Sequence, residues 1–286
     1  MKISVCITHF NRFELLVRAI DSVLLQGECI GEIIISDDFS SHNIQSRIKE
    51  KYSDSSKFKL IFAEKNLGPQ AARNAAIDMS VFDYIALMDC DDIWLLGKLN
   101  KQIEYITRYN LDLCACSYVI DGVPDLLGER YYPLFEGDAI RYICSGGHMQ
   151  TSTLVVRAEV AKKVRFDIAV RKFQDWDFVF RIAHAGYCIG YLNERLVDYS
   201  KVAEDQMTKS IDPEYAKSYF LARVSMIGQK NVALFYVNRL AAMYFKNRNF
   251  SKALNCFLAP IFKFGVFIPV SSFRSIRRFI NYKYGI

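Results

Sequence analysis

The chain has 286 residues, 51% of them hydrophobic and 24% charged, which excludes a disordered or collagen-like polymer and allows one large domain or a domain with an appendage. Its formal charge of +6 is unevenly placed: no Asp or Glu follows Glu214, so residues 215–286 hold twelve Lys or Arg, against 25 basic and 31 acidic residues in the first 214. The eight cysteines are scattered, mostly inside apolar runs, and form neither a disulfide framework nor a zinc pattern.

In chain order, an apolar run at 3–8 predicts a strand, with no secretory leader in front of it, so a cytosolic start is expected. Leu15, Leu16, Ala19, Ile20, Val23 and Leu24 then fall on one helical stripe, entered from Asn11 as cap with Glu14 three residues on. Strands are predicted at 32–36, 57–63, 84–88 and 113–120, alternating with helices at 43–52, 70–76 and 95–109. Alternation at this spacing predicts an α/β fold, a mostly parallel sheet flanked by helices. No G-x-G-x-x-G follows the first strand and no G-x-x-x-x-G-K-[ST] occurs, which disfavours a dinucleotide oxidoreductase and a P-loop nucleotidase. Beyond a Gly-rich joint at 144–148 come a strand at 153–156, a helix opened by residues 173–178 and ended at Gly186, and a strand at 189–192. Residues 197–212 are polar and irregular, long enough for a loop over a site. From Pro213 the pattern is helical, with breaks at Gly228 and 247–249.

The chemistry concentrates at strand ends. The strand at 84–88 delivers Asp89, Asp91 and Asp92, and open α/β sheets bind ligands at that edge. Hard oxygen ligands on a short turn suit Mg2+ or Mn2+ completed by substrate phosphate. The alternative is an acidic N-terminus for the helix after Trp94. Thr8 ends the first strand and Asp37-Asp38 the second, while Asn66-Leu67-Gly68 and Arg73-Asn74 lie between. Together with Thr8-x-Phe10-Asn11-Arg12, Asp89-Cys90-Asp91-Asp92 and Gln174-Asp175-Trp176-Asp177, these motifs resemble the family 2 glycosyltransferases in order and spacing, over roughly residues 1–200.

That resemblance implies a GT-A fold and an inverting transfer of a sugar from a nucleotide sugar. By it, Thr8, Phe10, Arg12, Asp38, Asn66, Arg73 and Asp89 lie on the nucleotide-sugar side, with Asp38 as acceptor for a uracil N3–H, which favours UDP. Helix capping by Asp37 and Asp38, and a structural Arg73, stay open as alternatives. Asp91 becomes the direct ligand of Mn2+ or Mg2+, with Asp89 touching ribose or the metal shell. Asp175 becomes the catalytic base, with an N-cap as its other reading; Asp177 is the fallback base. Trp176 stacks on a sugar or belongs to the core, and His148 is an acceptor-side candidate. Two departures from the family pattern stand out: Gln174 replaces the usual Glu, and Tyr199-Ser200-Lys201-Val202 lacks the His of many members. These departures keep open a degenerate binding protein of the same fold. A nucleotidyltransferase is disfavoured, since no Gly-rich Arg-Lys loop follows the first strand.

Residues 1–212 are thus expected to form the GT-A domain and 213–286 a basic α-helical region. The apolar stretch 254–273 is interrupted by Pro260, Lys263 and Pro269, too soon for a membrane span. Arg274, Arg277, Arg278 and Lys283, interleaved with Phe273, Phe279, Tyr282 and Tyr284, suit an anionic membrane surface. No nucleic-acid module is recognisable. The expected partners are a UDP-sugar, a glycan or lipid-linked acceptor and the cytoplasmic face of a membrane.

Overall fold

The computed structural model describes residues 1–122, 135–200 and 211–268. They form two compact units interleaved in sequence: one takes in 1–122, 149–178 and 185–200, the other 135–148, 179–184 and 211–268. The expected loop at 201–210 and the basic cluster at 274–283 lie outside the described residues.

The first unit is built on one sheet. Among the described residues its strands are β1 (Ile3–His9), β2 (Ile30–Asp37), β3 (Phe58–Phe62), β4 (Tyr84–Asp89), β5 (Ile93–Trp94), β6 (Leu113–Ile120), β7 (Val155–Arg157) and β8 (Ile189–Tyr199). Their order is β3-β2-β1-β4-β7-β6-β8-β5. β1 to β4 are mutually parallel, as the alternation predicts; β7 lies antiparallel between β4 and β6, and β5 antiparallel on β8. All seven residues of β1 are buried, the continuous run expected of a strand covered on both faces. The crossovers carry α1 (Phe13–Leu24), α2 (His42–Tyr52) and α3 (Pro69–Met79), and α4 (Lys98–Tyr109) follows β5. α1 buries Leu16, Ala19, Ile20 and Val23, most of the predicted stripe.

Two predicted boundaries move, each for a physical reason. α4 starts at Lys98, not at 95, because Ile93 and Trp94 pair with Asp198 and Val197 as a short strand and Gly97 then turns at φ 82°. β8 runs on through Tyr199 instead of ending at 192. Its ladder with β6 shifts register at Ser117, so exposed Asn193, Glu194 and Arg195 interrupt the apolar pattern before buried Leu196 and Val197.

β1 sits between β2 and β4, where the strand order reverses, and Thr8 lies in register with both Ser36 and Asp89. The carboxyl ends of these three strands form the crevice where such sheets bind ligands.

The second unit is helical. It contains α5 (Ala139–Cys144). After α6 (Ala158–Val164) in the first unit, α7 (Gln174–His184) begins there and gives residues 179–184 to the second. The second unit continues with α8 (Pro213–Ala222), α9 (Val224–Ile227), α10 (Gln229–Phe235), a π turn at Tyr236–Leu240, α11 (Ala241–Lys246) and α12 (Phe250–Phe264). Its core stacks Phe220 on Phe235, ring centroids 3.5 Å apart, with Phe180 edge-on at 6.0 Å. Arg239 donates from Nε to Ile143 O at 2.9 Å and from Nη2 to Gly147 O, fixing the Gly-rich joint. Among the described residues no helix is long and apolar enough to cross a membrane.

Candidate active site

Four segments meet in one hydrogen-bonded line at the edge of the sheet. Thr8 Oγ1 donates to Asp89 Oδ1 at 3.2 Å, and Arg73 Nη2 donates to the same oxygen at 2.6 Å. Arg73 Nη1 reaches the Gln174 Oε1 at 2.8 Å. Arg73 is 5% exposed, its guanidinium lies 5.2 Å from the Phe166 ring, and its Nε has no protein partner. Its aim is set by neighbours on α3. Asn74 clamps the Phe166 backbone on both sides, at 2.8 and 2.9 Å, and Gln70 donates to Val170 O. A guanidinium held this way is a preorganised fork.

The acidic turn divides its carboxylates by role. Asp91 Oδ2 accepts from Arg12 Nη1 at 2.8 Å. Burial and then the charge of Asp89 push the Asp91 pKa up, while Arg12 opposes them. Asp92 is buried and accepts from Ser152 Oγ and from the Ser200 N–H at 3.2 Å. Burial, then Asp89 and Asp91, raise its pKa well above its ordinary value. Ser152 also accepts the Asp89 N–H at 3.0 Å, so one hydroxyl ties the turn at two points. None of the three aspartates lies in the first turn of α4, which removes the acidic helix N-terminus as their explanation.

The two carboxylates ending β2 are equally distinct. Asp37 receives His9 Nδ1 at 2.7 Å, Ser40 N–H at 2.8 Å and Ser40 Oγ at 2.5 Å. Burial raises its pKa, but the bonds from His9 and Ser40 outweigh that and hold it low. His9 Nε2 accepts the Arg12 N–H at 3.0 Å, which fixes the Nδ1–H tautomer facing Asp37. Asp38 instead accepts the Leu67 and Gly68 N–H groups, each at 2.8 Å, while Asn66 Nδ2 donates to its carbonyl at 3.2 Å. Gly68 stands at φ +89°, a conformation glycine adopts freely, so the 66–68 turn folds back onto Asp38. Phe10 is 43% exposed at the mouth of β1.

Asp175 opens α7, partly buried, its Oδ1 accepting the Trp176 N–H at 2.9 Å. Burial raises its pKa to about 6; Arg73 opposes the shift and Asp89 adds to it. A carboxylate poised there takes and releases a proton near neutrality. Asp177, by contrast, is 1% exposed, with its N–H on Phe173 O at 2.7 Å. Trp176 is buried and stacked on Phe173, centroids 4.9 Å apart. His148 lies partly buried in the second unit.

Among the described residues no three His, Cys, Asp or Glu side chains are grouped to hold a metal by themselves. Mg2+ and Mn2+ commonly take one or two carboxylates and fill the shell from phosphate and water. Asp89 and Asp91 fit that smaller share, two partly exposed carboxylates whose mutual repulsion is offset by Arg73 and Arg12.

Sequence reasoning missed Ser152 and His9 as parts of this network, and read Gln174 as a departure from the family pattern without foreseeing its bond to Arg73. Ser152 is 63 residues from Asp89, and no local pattern marks it.

The profile described as Glycosyl transferase family 2 matches residues 4–165. An uncharacterized glycosyltransferase of Methanocaldococcus jannaschii is 27% identical over 202 residues, 70% of each chain. The amylovoran biosynthesis glycosyltransferase AmsB of Erwinia amylovora is 26% identical over 210 residues, 70% of this chain and 69% of its own. WfgD of Escherichia coli, a UDP-Glc:alpha-D-GlcNAc-diphosphoundecaprenol beta-1,3-glucosyltransferase, is 31% identical over 131 residues, 46% of this chain and 51% of its own. In fold, the S. aureus TarS 1-349 structure in complex with UDP-GlcNAc matches at TM-score 0.63 and 18% identity, covering 98% of this chain and 81% of that one. The mixed sheet with flanking helices is the GT-A arrangement expected from the motifs.

Proposed function

We propose a reaction from the premise that the chain belongs to glycosyl transferase family 2: it transfers a sugar, with inversion, from a UDP-sugar to a hydroxyl of a glycan or lipid-diphosphate-linked acceptor. The observation that carries this is Asp175, a carboxylate with its pKa at about 6 whose electrostatic neighbours are Arg73 and Asp89. Asp175 takes the proton of the acceptor hydroxyl as its oxygen bonds to the anomeric carbon. The bond from that carbon to the diphosphate breaks, and UDP leaves with the electron pair. Thr8, Asp38 and the turn it holds receive the nucleoside, and Arg73 fixes Asp89 beside it. Asp91, with Asp89, would hold Mn2+ or Mg2+, which when bound neutralises the departing diphosphate.

The printed substrates of WfgD and the UDP-GlcNAc in the TarS complex support a UDP-linked donor. WfgD's diphosphoundecaprenol acceptor supports a lipid-linked one. With such an acceptor the chain would work at the cytoplasmic face of a membrane, a reading that the basic C-terminal region supports.

Thermal unfolding with UDP, GDP, CDP and TDP, with and without Mn2+, tests the donor. A ligand at a hundredfold excess over Kd adds about 2.7 kcal/mol, roughly 5–10 °C for a chain of this size. A UDP shift that requires Mn2+ is expected. A shift confined to another nucleotide overturns the base assignment, and no shift with any of them overturns the donor site.

A further inference from the structure

We propose that the exposed stripe of α12, formed by Phe250, Leu254, Leu258, Ile261 and Phe262, is the surface by which the second unit inserts into a bilayer containing anionic lipid. This rests on the membrane contact proposed above and assigns it to a particular helix face.

The spacing of Phe250, Leu254, Leu258 and Ile261 keeps them within about 80° of arc on an α-helix, and Phe262 borders them. They are 55%, 61%, 54%, 54% and 82% exposed. A second face, roughly 120° round the same helix, is already used: Ala253, Cys256, Pro260 and Phe264 are buried. α12 therefore has two apolar faces, one packed and one open. Single exposed apolar residues are ordinary, but a contiguous stripe is not.

Charge decides the occupant. Lys252 and Lys263 are exposed between the two faces, and Lys246 and Arg248 are exposed just before the helix. No acidic residue occurs after Glu214. Lys252 and Lys263 project roughly 160° round the helix from the centre of the stripe, and Lys252 is paired with Glu214, so an anionic headgroup layer meets Lys246 and Arg248 at the amino end of the stripe. At 15 residues α12 is about 22 Å long, short of a bilayer core, so it lies in the interface plane.

The test uses the full chain with vesicles of phosphatidylcholine alone or mixed with phosphatidylglycerol. Wild type is expected to cosediment with the mixed vesicles. Leu254→Ser/Leu258→Ser/Phe262→Ser should weaken this at least tenfold while keeping the UDP-dependent thermal shift. Independently, Phe262→Trp should blue-shift on adding mixed vesicles and be quenched by brominated lipid, against the buried background of Trp94 and Trp176. Wild-type binding by the triple-serine chain, lost instead in Arg274→Gln/Arg277→Gln/Arg278→Gln, would overturn the stripe and leave the membrane reading standing. No wild-type binding to the mixed vesicles would overturn both. A wild-type dimer in light scattering that the serine substitutions dissociate, without vesicle binding, would assign the stripe to a second copy and overturn the proposal.

Discussion

At the carboxyl edge of the sheet, charged groups are packed inward and matched one to one, Arg73 with Asp89 and Arg12 with Asp91, while His9 donates from Nδ1 to Asp37. Along α12 the order is inverted, with charges out in water and large apolar side chains beside them uncovered. The two regions do different work by the same rule. A matched buried network is position-specific, because removing one member strands its partner. A stripe facing outward acts through summed area and net charge, so its losses come in small increments.

The sharpest contrast should come from one atom at the sheet edge. Asp175→Asn is expected to lower kcat by about 10²–10⁴-fold while leaving UDP binding intact, as steady-state rates and thermal shifts would report. In the wild type the same group makes kcat rise with pH through about 6. The sign for stability is opposite: a carboxyl whose folded pKa lies above its ordinary value costs stability once ionised. The wild type should therefore lose stability relative to Asp175→Asn from about pH 4 to 6, and remain lower above it.

Next in size is Arg73→Met, which strands Asp89 and Gln174. Urea unfolding should show a loss of about 2–4 kcal/mol, below the full range for a buried pair because Asp89 keeps some water. Arg73→Lys should not restore it, since one ammonium cannot span both partners.

At Lys98 matching fails for a whole charged group, and that makes the contrast breakable. This lysine is fully buried with no hydrogen-bond partner, 4.1 Å above the Trp94 ring, and burial lowers its pKa to about 8. Its charge costs stability below that pH and the cost fades as pH rises toward 10. Lys98→Met should then stabilise by about 1–3 kcal/mol at pH 7 and by little at pH 10. A loss at pH 7 would mean that the cation–π contact outweighs burial.

The smallest effect belongs to the second unit's surface. Glu214 accepts from Lys252 at 2.5 Å and Tyr244 at 2.8 Å, bonds that hold its pKa at about 2. It is 45% exposed, so Glu214→Gln should cost no more than about 1 kcal/mol in urea unfolding at pH 7.

The parallel half of the sheet is legible in the sequence because each buried strand is a continuous apolar run closed by a polar residue at the crevice. Thr8, Asp38, Asp89 and Asp91 can be picked out for that reason. What lies beyond reach is pairing between distant segments. Nothing local says that Arg12 will meet Asp91, or that Ser152 will bridge Asp89 and Asp92. Exposed Asn193 to Arg195 conceal a strand, since a register shift breaks the period on which strand reading depends. The interleaving of the units is hidden for a similar cause: α7 reads as one uniform helix, yet residues 179–184 belong with the later helices.

The order of assembly during synthesis follows from β7. This strand covers the open side of β4, yet it leaves the ribosome only with residues 155–157, and Gln174 comes later still. At about 5–20 residues per second, β4 waits several seconds with one edge unpaired and its acidic turn without the Ser152 hydroxyl. Translational pausing between residues 95 and 150 would lengthen that exposure, and the sheet edge would be open to a chaperone or to another nascent chain.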